Sequence, residues 1–234
     1  SLTTTQISGL TATALAALAT SQLAALTSTQ LSALTTTTVT GLTETQAGAL
    51  STTQLKGLTS TALGALSATS FAALDETQIA ILTTTQIRGL TATDIAALSA
   101  TSLAELTATQ FGALTATQIK GLTGDQISGL TETQLATLTS TELAALTTTQ
   151  VGSLAASQLA LLTTTQIRGF VTTQLTALSQ TQIRGLTTSQ IAGLSTTQVK
   201  LLTATGVAAL TADQLGALST YQLSLIHISQ GIVR

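Results

Sequence analysis

The residues able to do acid, base or metal chemistry are few and far apart. His227 is the single histidine, and the chain has no cysteine. A nucleophile–histidine arrangement or a zinc site would therefore rest on one residue near the end of the chain, with no second ligand of its kind. Asp75 and Glu76 are adjacent carboxylates, the pattern a bound cation or a general acid–base pair would use. A helix cap followed by a first-turn acid accounts for the same pair. No Asp-rich glycine loop, Gly-x-Gly-x-x-Gly motif or Walker motif occurs, so neither calcium nor a nucleotide is implied. No catalytic, cofactor-binding or metal-ligating residues are expected, and no cofactor.

Two patterns could instead bind. Lys56, Arg88, Lys120, Arg168, Arg184 and Lys200 follow one another at intervals that are always an even number of octapeptides. A basic column of this kind could dock an anionic surface glycan or the acidic face of a protein partner. It would equally serve as a solvated face on a weakly charged chain. A recurring Thr-x-Thr motif resembles the regular threonine arrays on the ice-binding faces of some antifreeze solenoids, which implies ice as a further ligand.

Composition narrows the rest. Charged residues are 7% and aromatics 2%, with no Pro, Cys, Met or Trp and a formal charge of -2. An ordinary domain carries about 25% charged residues. Without a basic run there is nothing to hold nucleic acid. The longest strictly apolar stretches, such as Ala14 to Ala19, fall well short of the roughly 18 residues of a membrane-spanning helix. No membrane insertion is expected. The chain opens without an initiating Met or a signal-like segment, which fits a piece of a longer parent chain.

These residues are all positioned by one repeat. Starting at Leu2, every eighth residue through Leu218 is Leu, except Phe170, giving 28 octads without insertion or deletion. The consensus is Leu-Thr-x-Thr-Gln-Ile/Leu-x-Gly/Ala, numbered one to eight from the Leu. A single long helix is excluded, because each octad would turn the apolar stripe by roughly 80°. Simple strand alternation fails as well, since positions one and six would point to opposite faces.

Position two is Thr, Ser or Asp in 25 octads and position five is Gln in 20, which is the Ser/Thr-x-x-Gln capping box at the start of a helix. Positions one and six then form the two ends of a hydrophobic staple. The charges agree with this register. Asp75, Glu44, Glu76, Glu132, Asp125, Asp213, Asp94 and Glu142 fall in first turns, only Glu105 lies elsewhere, and the six basic residues stand near helix ends, as a helix dipole favours. Thr at position four, in 22 octads, is not explained by helix propensity.

Octads also alternate in two classes. The basic residues and Gly9, Gly41, Gly57, Gly89, Gly121, Gly169 and Gly185 belong to one class, and Ala dominates position eight of the other. The sequence therefore predicts an all-α solenoid over residues 1–222, with a 16-residue, two-helix superperiod and about 14 coils. Stacked at roughly 8–10 Å per helix layer, these would form a rod on the order of 110–140 Å long. Gly would end one helix per coil in a left-handed conformation, and the Ala-Ala exit would suit a tight approach between coils. The competing fold is a β-solenoid, which Thr, Ile and Val favour and which stacked Gln and Thr ladders would suit.

The pattern decays after Leu218, where Tyr221 replaces Thr in the last octad. The tail, 223–234, has no octad form, and its "LSLIHIS" resembles the conceptual translation of a transposon-end adapter used in sequencing libraries. That resemblance would make the tail foreign to the protein and imply an origin in environmental DNA.

The stretches "LTTTQIRGL", "LTATQIKGL" and "LTETQLATL" resemble the Leu-Thr-x-x-Gln-Ile-x-x-Leu repeat tracts of very large bacterial surface and adhesin-like proteins. The resemblance covers residues 2–222 and is one of low-complexity repeats. It implies an extracellular or cell-surface stalk that holds some other module away from the envelope, and it brings no catalytic residues.

Overall fold

The computed structural model describes residues 2–202 and 204–229. Among them there are 28 short α-helices, numbered α1 to α28 in chain order, one to each octad, and no strand. The chain is an all-α solenoid rather than a β-solenoid. All the helices but the last are four to six residues long, too short to persist alone because nucleation costs more than so few hydrogen bonds return.

Each helix starts where the capping box places it. In α11 (Thr84–Gly89) the Gln86 N–H donates to Thr83 Oγ1 at 3.2 Å, and the Thr83 N–H donates back to Gln86 Oε1 at 3.0 Å. Where position two is Ala19, Ala155 or Val171, only the second of these bonds remains. Each helix stops just as locally. The N–H of the next Leu reaches back three positions, as Leu90 does to Ile87 at 3.2 Å, and that Leu takes an extended conformation, with φ -67° and ψ 148°. The staple residues on either side, Leu82 and Ile87, are buried. Among the described residues positions one and six make the core, except near the two ends, where Leu2 is exposed and residues such as Leu10, Leu18, Leu215 and Leu223 are half-buried.

Packing shows how the coil closes. The chain divides into two compact units, Ser1–Leu122 and Thr123–Arg234. In the first, α4 (Ser28–Ser32) lies on α7 (Thr52–Gly57) and α8 (Ser60–Leu63) on α11. In the second, α18 (Ser140–Ala145) lies on α21 (Thr164–Arg168), and α20 (Ala156–Leu161) on α23 (Gln180–Gly185). Every such pair is three helices apart, so a coil holds three octads where the alternation of octads suggests two. Two helices back to back enclose no interior; three sides do, and the residues at positions one and six point into it. The two-octad period remains, as an alternation along each stack. With three octads to a coil, a helix of one class always rests on a helix of the other.

The last helix, α28 (Thr220–Ser229), runs past the end of the repeat into the tail. It packs on α25 (Thr196–Leu201) and buries Leu225 and Ile226. Residues 230–234 of the tail lie outside the described residues. No helix among the described residues is long and apolar enough to cross a membrane.

Candidate functional site

The glutamine at position five does more than complete a cap. Gln54 Oε1 accepts the Ser51 N–H at 3.0 Å, while its Nε2 donates to the carbonyls of Leu23 and Leu26, each at 2.9 Å, in the preceding coil. Gln86 does the same to Leu55 and Leu58, Gln166 to Leu135 and Leu138, and Gln190 to Leu159 and Leu162. One acceptor position is the sixth of an octad and the other the first of the next, so each amide ties down the carbonyls on both sides of a corner. The sixth-position carbonyl already takes the N–H of the next Leu, as Leu23 does from Leu26 at 3.0 Å, and the amide adds a second donor; the first-position carbonyl lies just past the helix end, where no intrahelical partner is available. The amides are buried, Gln134 completely, and no buried side-chain N or O atom lacks a partner among the described residues.

Shorter side chains reproduce part of the stitch. Thr38 Oγ1 donates to Leu10 O and Ser70 Oγ to Leu42 O, both at 2.7 Å and both 28 residues apart. Sequence reasoning reads the box and misses the stitch. The available signal is that Gln holds position five although Glu serves a capping box equally well, and of these two only the amide can accept in one direction while donating in the other.

Glycine at position eight has a different role from the one expected of it. Gly9, Gly121 and Gly169 all end their helices at negative φ, -85°, -77° and -69°, so no left-handed conformation requires them. Apart from Gly9, which only its own helix approaches, they are needed for contact. A Cβ on Gly57 would lie 2.4 Å from Ser28 O, one on Gly89 2.5 Å from Ser60 O, and one on Gly169 2.6 Å from Ser140 O. Gly41, Gly121 and Gly185 meet Ala12, Ala92 and Ala156 in the same way. The tight approach between coils belongs to the Gly exit, and its partner at position three of the preceding coil is Ser or Ala in these six and Thr164 for Gly193. The relation is reversed once, where Gly124 at position three faces Ser153 at position eight. The Ala-Ala exit has no separate structural account.

The six basic residues stand in the last turns of α7, α11, α15 (Ala116–Lys120), α21, α23 and α25, all exposed. The structure does not bring them together. None of these helices rests on another of the six, because successive ones are two, four or six octads apart while a helix rests on the one three octads away. Arg168 and Arg184 bind the coil that follows. Arg168 Nε donates to Gly193 O at 2.6 Å and Arg184 Nε to Ala209 O at 3.2 Å.

Beside the contact glycines lie shallow grooves. One of about 390 Å³ is lined by Ser28, Thr29, Ser32, Thr53, Lys56 and Gly57. Its counterpart in the second unit, about 420 Å³, is lined by Ser140, Thr141, Ala144, Thr165, Arg168 and Gly169. Each sets one cation among hydroxyls, without an aromatic platform or a second titratable group.

The remaining candidates keep to local roles. Asp75 caps α10 (Glu76–Ala80) through a 2.8 Å bond from the Gln78 N–H, and Glu76 lies exposed in the first turn. His227 is exposed in the last turn of α28. Among the described residues no three His, Cys, Asp or Glu side chains come together where they could hold a metal ion. Compared with models of known protein families and with curated protein sequences, the chain matches none.

Proposed function

We propose that the chain is a non-enzymatic structural spacer, a stalk segment of a large secreted or cell-surface repeat protein of the bacterial adhesin-like kind. The observation that carries this reading is where the polar side chains are used. The buried amides and the close glycines join one coil to the next, and the grooves beside Gly57 and Gly169 are shallow and recurring, unlike the enclosed pocket that chemistry uses. A protein built this way gains length by adding coils, since each contacts only its neighbours.

Small-angle scattering on the full chain tests it. The expected result is an elongated particle whose longest dimension grows when six octads are duplicated in place, an insertion that keeps both the three-octad coil and the two-octad alternation in phase. A compact particle, or one whose added octads leave the dimension unchanged, would refute it.

A second reading, a binding module, is supported by the hydroxyl-lined groove that recurs beside Lys56 and Arg168. Its partners would be an anionic surface glycan or an acidic protein, held weakly at each groove and made effective by repetition. Ice would instead use the threonine array. Retention on an acidic polysaccharide that weakens with salt would support the first, and thermal hysteresis the second. Inactivity in both assays removes these ligands.

A further inference from the structure

The 28 octads are an alignment of the chain with itself, and they show which positions have drifted. Position three varies among Thr, Ala, Ser, Glu, Gly and Gln. Position four does not drift in that way: 22 Thr, three Ser and Tyr221 give it a hydroxyl in 26 octads, and Asp125 and Asp213 fill the other two. Every one of these residues is exposed.

The fold does not account for that constancy. The cap is made by position two, the stitch by position five and the core by positions one and six. The hydroxyls of Thr29, Thr53, Thr85 and Thr117 bond to nothing among the described residues, and those of Thr61, Thr69 and Thr133 meet the capping hydroxyl two positions back. Thr is also a poorer helix former than Ala, which position three takes freely.

We propose that the position-four hydroxyls are acceptors for O-linked sugars. Ser21, Ser157 and Ser189 replace Thr, so it is the hydroxyl that persists and not the methyl that a flat ice-binding surface would also use. The array lies on all three sides of each coil, which suits a coat and not a single docking face. A coat would also hydrate the surface of a chain in which only 7% of residues are charged. The donor is a nucleotide-activated sugar. Threonine Oγ1 attacks the anomeric carbon, the new C–O bond forms as the bond from that carbon to the diphosphate breaks, the hydroxyl proton passes to a base of the transferase, and a nucleoside diphosphate leaves. This inference does not depend on the spacer reading.

The test is fragmentation mass spectrometry, under conditions that preserve O-links, on the chain recovered from the cells that make it. Sugar increments are expected on Thr29, Thr53, Thr85 and Thr117 and not on the capping residues Thr27 and Thr83. Unmodified peptides, or sugar on the capping hydroxyls instead, would overturn the proposal. A second measurement tests its premise on recombinant full-length chain. Replacing those four threonines together (T29A, T53A, T85A, T117A) should leave the helical circular dichroism and the melting temperature unchanged or raise the latter. A fall would make the hydroxyls structural and remove the reason to look for an external use.

Discussion

The side-chain amide of Gln54 donates across 2.9 Å to the carbonyl of Leu26, a residue one coil earlier, while its oxygen holds the N–H of Ser51 at the start of its own helix. A single side chain thus supplies the N-terminus of one helix and the C-terminal corner of another with the partners their backbones lack. Helices of one to two turns expose nearly all their backbone ends, and here the ends of successive coils satisfy each other. The apolar core holds the coils together. The amides fix the register in which they stack.

Replacing Gln54 with Glu therefore separates the two roles. A carboxylate still accepts from Ser51, but it presents oxygen to the Leu23 and Leu26 carbonyls, leaving Leu26 O without its donor and Leu23 O with only the Leu26 N–H at 3.0 Å. The expected loss is about 1–3 kcal/mol or more, the usual cost of buried polar groups left unpaired, read as a lower urea midpoint. Faster hydrogen exchange should be confined to the coils on either side of the substitution, since each repeat rests only on its neighbours. An unchanged midpoint would mean that the stitch adds nothing to the cap.

Glycines along the chain should divide into two groups. Gly57→Ala places a methyl 2.4 Å from Ser28 O, so the two coils must move apart, at a cost of about 1–3 kcal/mol typical of overpacking. Gly152 and Gly216 lie within helices, and nothing stands within 4 Å of where an added methyl would sit. There the same change should stabilise by about 0.5–1 kcal/mol, because Ala loses less backbone freedom than Gly. Thermal melts of the three variants should move in these opposite directions.

The local half of this architecture is legible in the residues themselves. Thr83, Gln86, Leu82 and Ile87 announce a helix start, because capping and stapling act within a single octad and leave a sequence signature. How the helices close into a coil is not legible. The bonds that set three octads per coil run from Gln54 to Leu23 and Leu26, across 31 and 28 residues, and an octad repeat looks the same whether two or three make a circuit. The alternation that suggests two comes from contacts such as Gly57 with Ser28 of the coil before, where an odd number of helices per coil brings opposite classes together. The basic residues follow that alternation and so read as a column in the sequence. Their places near helix ends are local and hold in the structure, but stacking is a property of the coil.

Val171 marks a missing cap. It stands at the N-cap of α22 (Thr172–Thr176), makes no side-chain bond to the helix and leaves 43% of its surface exposed. Val171→Thr should restore the hydroxyl or carboxylate cap that 25 other octads carry as Thr, Ser or Asp and stabilise the second unit by about 1 kcal/mol. Thr163→Ala, which removes a working cap one octad earlier, should destabilise by a similar amount. If the pair shift the melting temperature in the same direction, the cap is not what position two contributes.

Asp94 shows the stitch by its absence. It occupies position five, is 2% exposed, and uses one carboxylate oxygen to accept from both the N–H and the hydroxyl of Thr91, each at 2.7 Å. An ionised carboxylate has no proton to give the preceding coil, where Gln86 and Gln118 on either side of it each supply two bonds. By the separations those neighbours use, the carbonyls facing it are Leu63 and Leu66. Asp94→Gln keeps an acceptor for Thr91 and adds the donor, against the loss of a first-turn charge that the helix dipole favours by about 0.3–1 kcal/mol. Two new hydrogen bonds at about 0.5–1.5 kcal/mol each outweigh that loss. The variant should melt higher, with slower hydrogen exchange at the joint between α9 (Ala68–Ala72) and α12 (Ala92–Ala97). A lower melting temperature would mean that the carboxylate is matched to its site and that an amide there has nothing to bind.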